Sequence, residues 1–446
     1  MTQQLIVIGG VAAGMSAAAR ARRINPNLTV FVYEQGPHIS YGACGLPYLI
    51  AGDIADYRAL IARTPEQMAR QGVTVYLHHQ VTTLDPVART VTVRDRQAGR
   101  TFEQRYDALV IATGASPVLP PLPGLELPGV FALRSLEEGL ALQRFIAAHQ
   151  PRRAIILGGG YIGVEMAETF RRLGLAVQMI IRSGQVLRPV LDDDVRALVE
   201  QELTRQGVEI IADEPVAFEG RDRLERVVTR DGVYPGDIAL LSIGVRPNVT
   251  LAQAAGVTLG PTGAIATDDH MRTNLPAVYA AGDCAEAFHI VSGRPAYVPL
   301  GSTANKQGRV AGTNAAGGEA TFGGIVGTTV LRAFDLAVAR TGLTTAQAQA
   351  LGYTVQTTLI EATNLAHYFP GASPIHVKLV VDDATGRLLG GQIVGGEGVA
   401  KRIDVLATAL HHRLTVADLQ QLDLSYAPPF APVWDPLLVA ANVAAK

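Results

Sequence analysis

Short runs of consecutive apolar residues, each ending near glycine, recur along this chain. Leu5-Ile6-Val7-Ile8 runs into Gly9-Gly10-Val11-Ala12-Ala13-Gly14, and Met15 to Arg23 behind it is rich in good helix formers. A second run, Leu28 to Tyr33, ends at Glu34. Uninterrupted apolar runs bounded by turn residues read as strands buried on both faces, as inside parallel sheets. The segment therefore predicts strand, glycine turn, helix, strand and terminal acid. Ala154-Ile155-Ile156-Leu157 begins the same unit again, running into Gly158-Gly159-Gly160-Tyr161-Ile162-Gly163 and Val164-Glu165-Met166-Ala167, with Ala176 to Ile181 as its second strand. Tyr106 to Ala112, closing on Thr113-Gly114, and Ala277 to Ala281, closing on Gly282-Asp283, predict two more buried strands. On pattern alone Asp283 is equally a helix cap. Past Phe322, alternation over His376 to Val381 and a helical stretch over Ala400 to His412 predict an α+β region.

Strand, glycine turn and helix make up the dinucleotide-binding unit. Glycine lets the backbone approach a pyrophosphate, while the helix N-terminus supplies N–H donors and a positive dipole end. Gly9, Gly10, Ala12, Ala13 and Gly14 form the first loop, and Glu34 can accept hydrogen bonds from a ribose. Val11 stands where the fingerprint has its second glycine, and a turn packed tightly for its own sake is the alternative. The second loop has all three glycines, Gly158, Gly160 and Gly163. Two dinucleotide sites imply two dinucleotides, and hydride exchange between a nicotinamide and a flavin is the economical reason.

Bulk numbers narrow the class. A chain of 446 residues exceeds one ordinary core, so two or three domains are expected. Apolar residues at 48% and charged residues at 17% exclude wholesale disorder. The balance of 38 lysines and arginines against 40 acids gives no footprint for nucleic acid or an anionic membrane. No run is long and apolar enough for a membrane span, and Leu5 to Ile8 lacks the basic flank of a signal peptide. Two cysteines, Cys44 and Cys284, do not make a disulfide scaffold, so a reducing cytoplasm is expected. No metal site is expected.

These ordered motifs resemble those of the two-dinucleotide-binding-domain flavoproteins, the superfamily of glutathione reductase and NADH oxidase, over nearly the whole chain. The resemblance implies FAD at the first loop, completed by Thr113, Gly114 and Asp283, with the aspartate on the ribityl chain. It implies NAD(P)H at the second loop, on Gly158, Gly160, Tyr161, Ile162, Gly163 and Glu165. Tyr161 would gate the nicotinamide pocket, and Glu165 would position the nicotinamide or balance charge near the flavin. The implied fold is α/β, with two Rossmann-like dinucleotide-binding domains and a C-terminal α+β dimerisation domain. Pro117 to Pro123 reads as the exit from the FAD domain and Gly244-Val245-Arg246-Pro247-Asn248 as the return. That sets a discontinuous FAD domain at 1–116 and 245–322, an inserted NAD(P)H domain at 117–244, and an interface domain at 323–446 through which a homodimer forms.

NAD sites usually end the second strand of the unit with an acid that accepts from the 2′-hydroxyl. Here Ile181 fills that place, and Arg182 and Arg188 follow. Two arginines can chelate a 2′-phosphate that a carboxylate would repel. NADPH-linked glutathione reductases carry a similar pair, so NADPH is expected, with NADH in second place and solvated surface arginines as the alternative.

Ser40-Tyr41-Gly42-Ala43-Cys44-Gly45-Leu46-Pro47-Tyr48 surrounds one cysteine with small residues, which favours access. A helix starting just after it would lower its pKa toward a thiolate. A small buried hydrophobe is the ordinary alternative. In the superfamily this segment lies under the flavin. Dithiol members place a second cysteine five positions on, where this chain has Leu49. Cys44 then stores oxidation as a mixed disulfide with a small thiol, a persulfide or a sulfenic acid. The Ser40, Cys44, Leu46, Pro47 and Tyr48 pattern resembles the single-cysteine branch: coenzyme A disulfide and persulfide reductases, NADH oxidases and NADH peroxidases. Val11-Ala12-Ala13 replaces the histidine that many oxidases and peroxidases keep after the first glycines, which points toward the coenzyme A enzymes.

The same resemblance assigns Tyr368 and Tyr426 to the partner subunit's site, where a phenol can protonate a departing thiolate. An aromatic plug in the interface is the alternative for Tyr368. It also assigns Ser16, Arg23, Ser40 and Asn305 to coenzyme A, with Arg20 on the same helix as Arg23; a solvated arginine face is the bland reading. The expected enzyme is an FAD-dependent reductase of coenzyme A disulfide or a related mixed disulfide or persulfide, acting on small-molecule thiols. The rivals are an NAD(P)H oxidase cycling Cys44 through sulfenic acid and a redox-sensing flavoprotein. Because the chain stops at Lys446, no rhodanese-like domain is expected after the interface domain.

Overall fold

In a computed structural model that describes residues 3–445, the first apolar run is the centre of a five-stranded parallel sheet. Residues 1–2 and 446, the outer ends of the expected FAD and interface domains, lie outside the described residues. The sheet runs Val278–Ala280, Ala108–Ile111, Gln4–Ile8, Thr29–Tyr33, Val73–Tyr76. Leu5, Ile6 and Val7 are wholly buried, which is why the run shows no polar alternation. A second five-stranded parallel sheet runs Val208–Ile211, Ala176–Ile180, Arg153–Leu157, Ile238–Leu241, Val130–Ala132. Its five strands fall between Ala108–Ile111 and Val278–Ala280 of the first sheet. The two connections run side by side, Ala115–Pro117 pairing antiparallel with Val245–Pro247.

The third five-stranded sheet is antiparallel: Thr329–Ala333, Leu336–Gly342, Leu388–Gly395, Pro374–Asp382, Val355–Thr363. Helices Val399–His411 and Pro436–Ala444 pack on it over one apolar core. The fold is therefore α/β, with two Rossmann-like sheets and a C-terminal α+β domain. Two three-stranded antiparallel sheets, over residues 79–105 and 215–235, were not foreseen from the pattern. Among the described residues, no helix is long and apolar enough to cross a membrane.

Helices Ala12–Ile24 and Gly301–Ala315 approach closely because the second offers glycine where the first offers backbone. A Cβ on Gly308 would lie 2.2 Å from the carbonyl oxygen of Ala13, and one on Gly312 the same distance from that of Ala17. This contact brings Ser16 and Arg20 against Asn305 and Thr313, as described below. Gly312→Val should therefore force the two helices apart at a cost of about 1–3 kcal/mol. It should lower the urea midpoint; an unchanged midpoint would show that the contact is dispensable.

Candidate active site

Both glycine loops bring strand, turn and helix into backbone contact. A Cβ on Gly14 would sit 1.9 Å from the Gly9 carbonyl oxygen, and one on Gly163 2.5 Å from that of Gly158. Gly9 and Gly158 each turn with φ +105°, a conformation that favours glycine. A Cβ on Gly160 would meet only the Ser242 oxygen at 3.9 Å, so that side of the loop is open to a ligand. Thr64, Ser135, Thr344 and Thr415 close their helices with capping boxes. Helices Ala12–Ile24, Tyr161–Arg172 and Gly301–Ala315 have neither a side-chain cap nor an acid in the first turn. The free N–H groups and dipoles of the first two, which follow the glycine loops, suit the pyrophosphates of dinucleotides.

Glu34 accepts from the N–H groups of Gly10 and Gly36, each at 2.7 Å, fixing the strand end to the loop. Burial raises its pKa. Thr113 and Gly114 are braced by Asn248: Thr113 Oγ1 donates to the Asn248 carbonyl at 2.7 Å, and the Asn248 N–H to that of Gly114 at 2.9 Å. The Asp283 carboxylate pairs with Arg134, from the other side of the junction between the first two sheets.

Cys44 lies in a 3₁₀ turn, Ala43–Gly45, that leads into helix Leu46–Ala51. Leu46, Leu49 and Ile50 bury that helix beside Phe170, and Thr169 Oγ1 donates to the Pro47 carbonyl at 3.2 Å. Upstream, Ser40 holds φ 51°, with its N–H on the Gly10 carbonyl and its carbonyl accepting from Ala62, both at 2.8 Å. Cys44 is exposed; Cys284 is buried, its thiol against the carbonyls of Ile111 and Ala281.

One expectation is reversed. The Cys44 thiol is pushed up, not down, by burial around its sulfur and by Glu165; Asp283 adds to the rise, and Arg134 opposes it. The following helix has only six residues, too short for its dipole to win. Glu165 itself is pushed up to about 7 by burial and by Glu168, against Arg332. Arg332 pairs with Glu168 at 2.6 Å and lies over the Tyr48 ring. Tyr161 and Ile162 open their helix, and Tyr161 Oη meets Thr329 Oγ1 at 3.0 Å.

Ser16, Arg20, Arg23, Ser40 and Asn305 line one groove of about 420 Å³. Ser16 Oγ donates to Asn305 Oδ1 at 2.6 Å, and Arg20 Nε to Thr313 Oγ1 at 3.0 Å. Tyr41 and Gly42 continue the lining into the Cys44 turn. Sequence reading missed two further arginines there, Arg63 and Arg309. Arg309 stands four residues after Asn305, a spacing that shares a helix face; Arg63 gives no local signal. Arg134 and Arg332 were also missed. A larger cleft of about 490 Å³, bounded by Phe145, Arg152 and Arg223, opens at the amino-terminal edge of the second sheet. Ligands of such sheets bind at the opposite edge.

Arg182 and Arg188 are exposed on the loop after Ala176–Ile180, which the Leu187 N–H ties to the Gly159 carbonyl at 2.7 Å. Arg182 has one neighbouring acid, Glu214 at 3.8 Å. Tyr368 and Tyr426, both exposed, bring their hydroxyls to 3.4 Å across 58 residues of chain; neither lines the groove.

Comparison with known proteins follows the same outline. Residues 3–317 match the family model described as pyridine nucleotide-disulphide oxidoreductase, and residues 330–436 match the dimerisation domain of the same name. A Pyrococcus abyssi protein named NAD(P)H sulfur oxidoreductase (CoA-dependent) is 42% identical over 98% of this chain and 97% of its own. A Staphylococcus aureus coenzyme A disulfide reductase is 31% identical over 96% of each. An engineered water-forming NADPH oxidase bound to NADPH, derived from the Lactobacillus brevis NADH oxidase, superposes with TM-score 0.95 at 30% identity, over 99% of this chain and 98% of that one. Its five substitutions include loss of an aspartate and gain of arginine, serine and arginine one, two and seven positions later.

Glu165 holds a proton below about pH 7 and presses on Cys44 only above it. Alkylation of Cys44 by iodoacetamide should therefore be alike in wild type and Glu165→Gln at pH 6 and faster in the variant at pH 8. Arg134→Gln should slow it. Identical pH profiles for all three proteins would refute this electrostatic account.

Proposed function

The chain belongs to the pyridine nucleotide-disulphide oxidoreductases, and we propose that it uses NADPH, through FAD and Cys44, to reduce coenzyme A disulfide, or a related mixed disulfide or persulfide, to thiol. It is an FAD-dependent NAD(P)H oxidoreductase with a dimerisation domain. The groove that reaches Tyr41 and Gly42, just before the Cys44 turn, carries the substrate reading. Arg20, Arg23, Arg63 and Arg309 there can meet the phosphates of coenzyme A, with Ser16, Ser40 and Asn305 between them. The names of the Pyrococcus and Staphylococcus relatives support it.

FAD, when bound, would supply the two-electron chemistry that links the nicotinamide to sulfur. The loop Gly9, Gly10, Ala12, Ala13 and Gly14 would hold its pyrophosphate, Glu34 its ribose, and Asp283 with Arg134 its ribityl side. Gly158, Gly160, Ile162 and Gly163 would hold NADPH, with Tyr161 as gate. NADPH is favoured by Ile181, Arg182, Ser183 and Arg188, which repeat the acid loss and the arginine, serine and arginine spacing of the engineered NADPH oxidase.

The Cys44 thiolate attacks one sulfur of coenzyme A disulfide; one coenzyme A leaves as thiolate, and the other stays bonded to Cys44. An electron pair then breaks that bond, returning the Cys44 thiolate and a second coenzyme A thiolate. Two protons complete two thiols. In the homodimer Tyr368 and Tyr426 reach the partner subunit's site and give a proton to the departing thiolate. Burial and Glu165 hold the Cys44 thiol up, which slows adventitious oxidation and attack on a disulfide alike. A cycle ending in free thiol suits the reducing cytoplasm.

Cys44→Ser should keep NADPH-driven flavin bleaching and lose disulfide reduction. Bleaching that fails in wild type would point to a sensor. Mass spectrometry of untreated protein should find coenzyme A on Cys44; one added oxygen instead, with turnover on oxygen and none on coenzyme A disulfide, would make the protein an oxidase. Arg182→Ala with Arg188→Ala should raise the KM for NADPH about tenfold or more, as lost charge-assisted hydrogen bonds imply, and spare NADH. Equal effects on both nucleotides would overturn the NADPH assignment.

A further inference from the structure

Helix Val399–His411 follows Gly398, which turns at φ +93°. Arg402 stands in its first turn, where the helix dipole disfavours a cation. The residue is only 7% exposed, so its charge has also left water. Desolvation of such a pair is seldom recovered as stability. Its guanidinium folds back over Gly398, where a Cβ would lie 2.2 Å from Nη1. Nε donates to Asp435 Oδ2 at 2.9 Å, and Nη2 to the carbonyl of Asn364 at 3.0 Å.

Those two acceptors stand at the roots of different segments. Asn364 opens the loop that carries Tyr368 and closes it on itself, its Oδ1 accepting from the Ser373 N–H at 2.8 Å. Asp435 ends the segment that carries Tyr426 and caps helix Pro436–Ala444 through the Leu437 N–H at 2.9 Å. Between the roots, the Ala366 N–H reaches the Pro428 carbonyl at 3.3 Å. At the tips the two phenol oxygens stand 3.4 Å apart, long for a hydrogen bond between hydroxyls.

We propose that Arg402 is a positioning residue that sets the Tyr368–Tyr426 pair by tying the roots of both loops to one guanidinium, and thereby governs proton delivery to the leaving thiolate. This rests on the reading of the two tyrosines given above. Arg402 touches no substrate; it acts through Asp435 and Asn364. When Tyr368 gives up its proton, the phenolate is met by the Tyr426 hydroxyl, provided both loops keep their spacing.

The test uses the full-length holoenzyme. Arg402→Lys keeps the charge and loses the two-armed reach; Asp435→Asn, an isosteric change at the other end, serves where the first variant does not fold. Either should slow reoxidation of the reduced enzyme by coenzyme A disulfide about tenfold, with NADPH-driven flavin reduction and the KM for NADPH within about twofold of wild type. In a Tyr368→Phe/Tyr426→Phe background, Arg402→Lys should cost nothing further beyond about twofold. Equal slowing of both half-reactions, or a loss that multiplies with that of the phenylalanines, would overturn the proposal while sparing the tyrosine reading. A phenylalanine pair that reduces disulfide at the wild-type rate would overturn both.

Discussion

Backbone-to-backbone contact at the carboxyl edges of two buried parallel sheets dictates where everything else in this molecule can stand. Strands such as Leu5 to Ile8 and Ile155 to Leu157 are sealed on both faces, so their peptide groups can pair only within the sheet. Free N–H groups appear where each strand gives way to its helix. Glycines there let the turn, the strand end and the helix start touch, and one methyl group on Gly14 or Gly163 would wedge them apart. The same device, Gly308 and Gly312 against Ala13 and Ala17, sets the groove beside the first helix. The two glycine loops and the groove are thus products of one packing constraint.

Within that frame the charges around the lone sulfur come from different parts of the chain. Glu165 belongs to the helix of the second glycine loop, Asp283 to the edge of the first sheet, and Arg134 to the connection after Val130–Ala132. Their balance raises the thiol. The helix after Cys44 was expected to do the reverse, and it loses because burial around the sulfur, first, and the partly buried Glu165 carboxylate together outweigh the dipole of fewer than two turns.

What the sequence revealed and what it hid divide along a physical line. Both glycine loops, the strands feeding them and Cys44 in its small-residue turn were legible because each is a local pattern of a few residues. So was the strand over His376 to Val381 in the third sheet, although the fold buries nearly all of it rather than every other residue. Contacts between distant segments were not. Arg134 and Asp283 are separated by 149 residues, and no periodicity links them. Arg63 joins the groove from a loop with no pattern of its own. The sign of the Cys44 shift depended on such partners, so a rule about the nearest helix could not give it. The antiparallel strands of residues 79–105 and 215–235 are short and partly exposed, which left their alternation too weak to read.

The absence of a second thiol on the Cys44 helix has a consequence for the rest of the design. Leu49, buried at 1% exposure, occupies the position from which an internal partner would reach. Oxidation of Cys44 by disulfide exchange must then recruit its second sulfur from the substrate, and that substrate has to be held while it is covalently attached. A small disulfide with no handle would leave as soon as the bond broke, but it would also arrive with nothing to align it. A groove with four arginines, reaching Tyr41 and Gly42 just before the Cys44 turn, offers the alignment that a phosphate-bearing thiol would need. The paired phenols stand outside that groove in their own subunit, so a proton from them can reach the sulfur only across the dimer, as the proposed function requires.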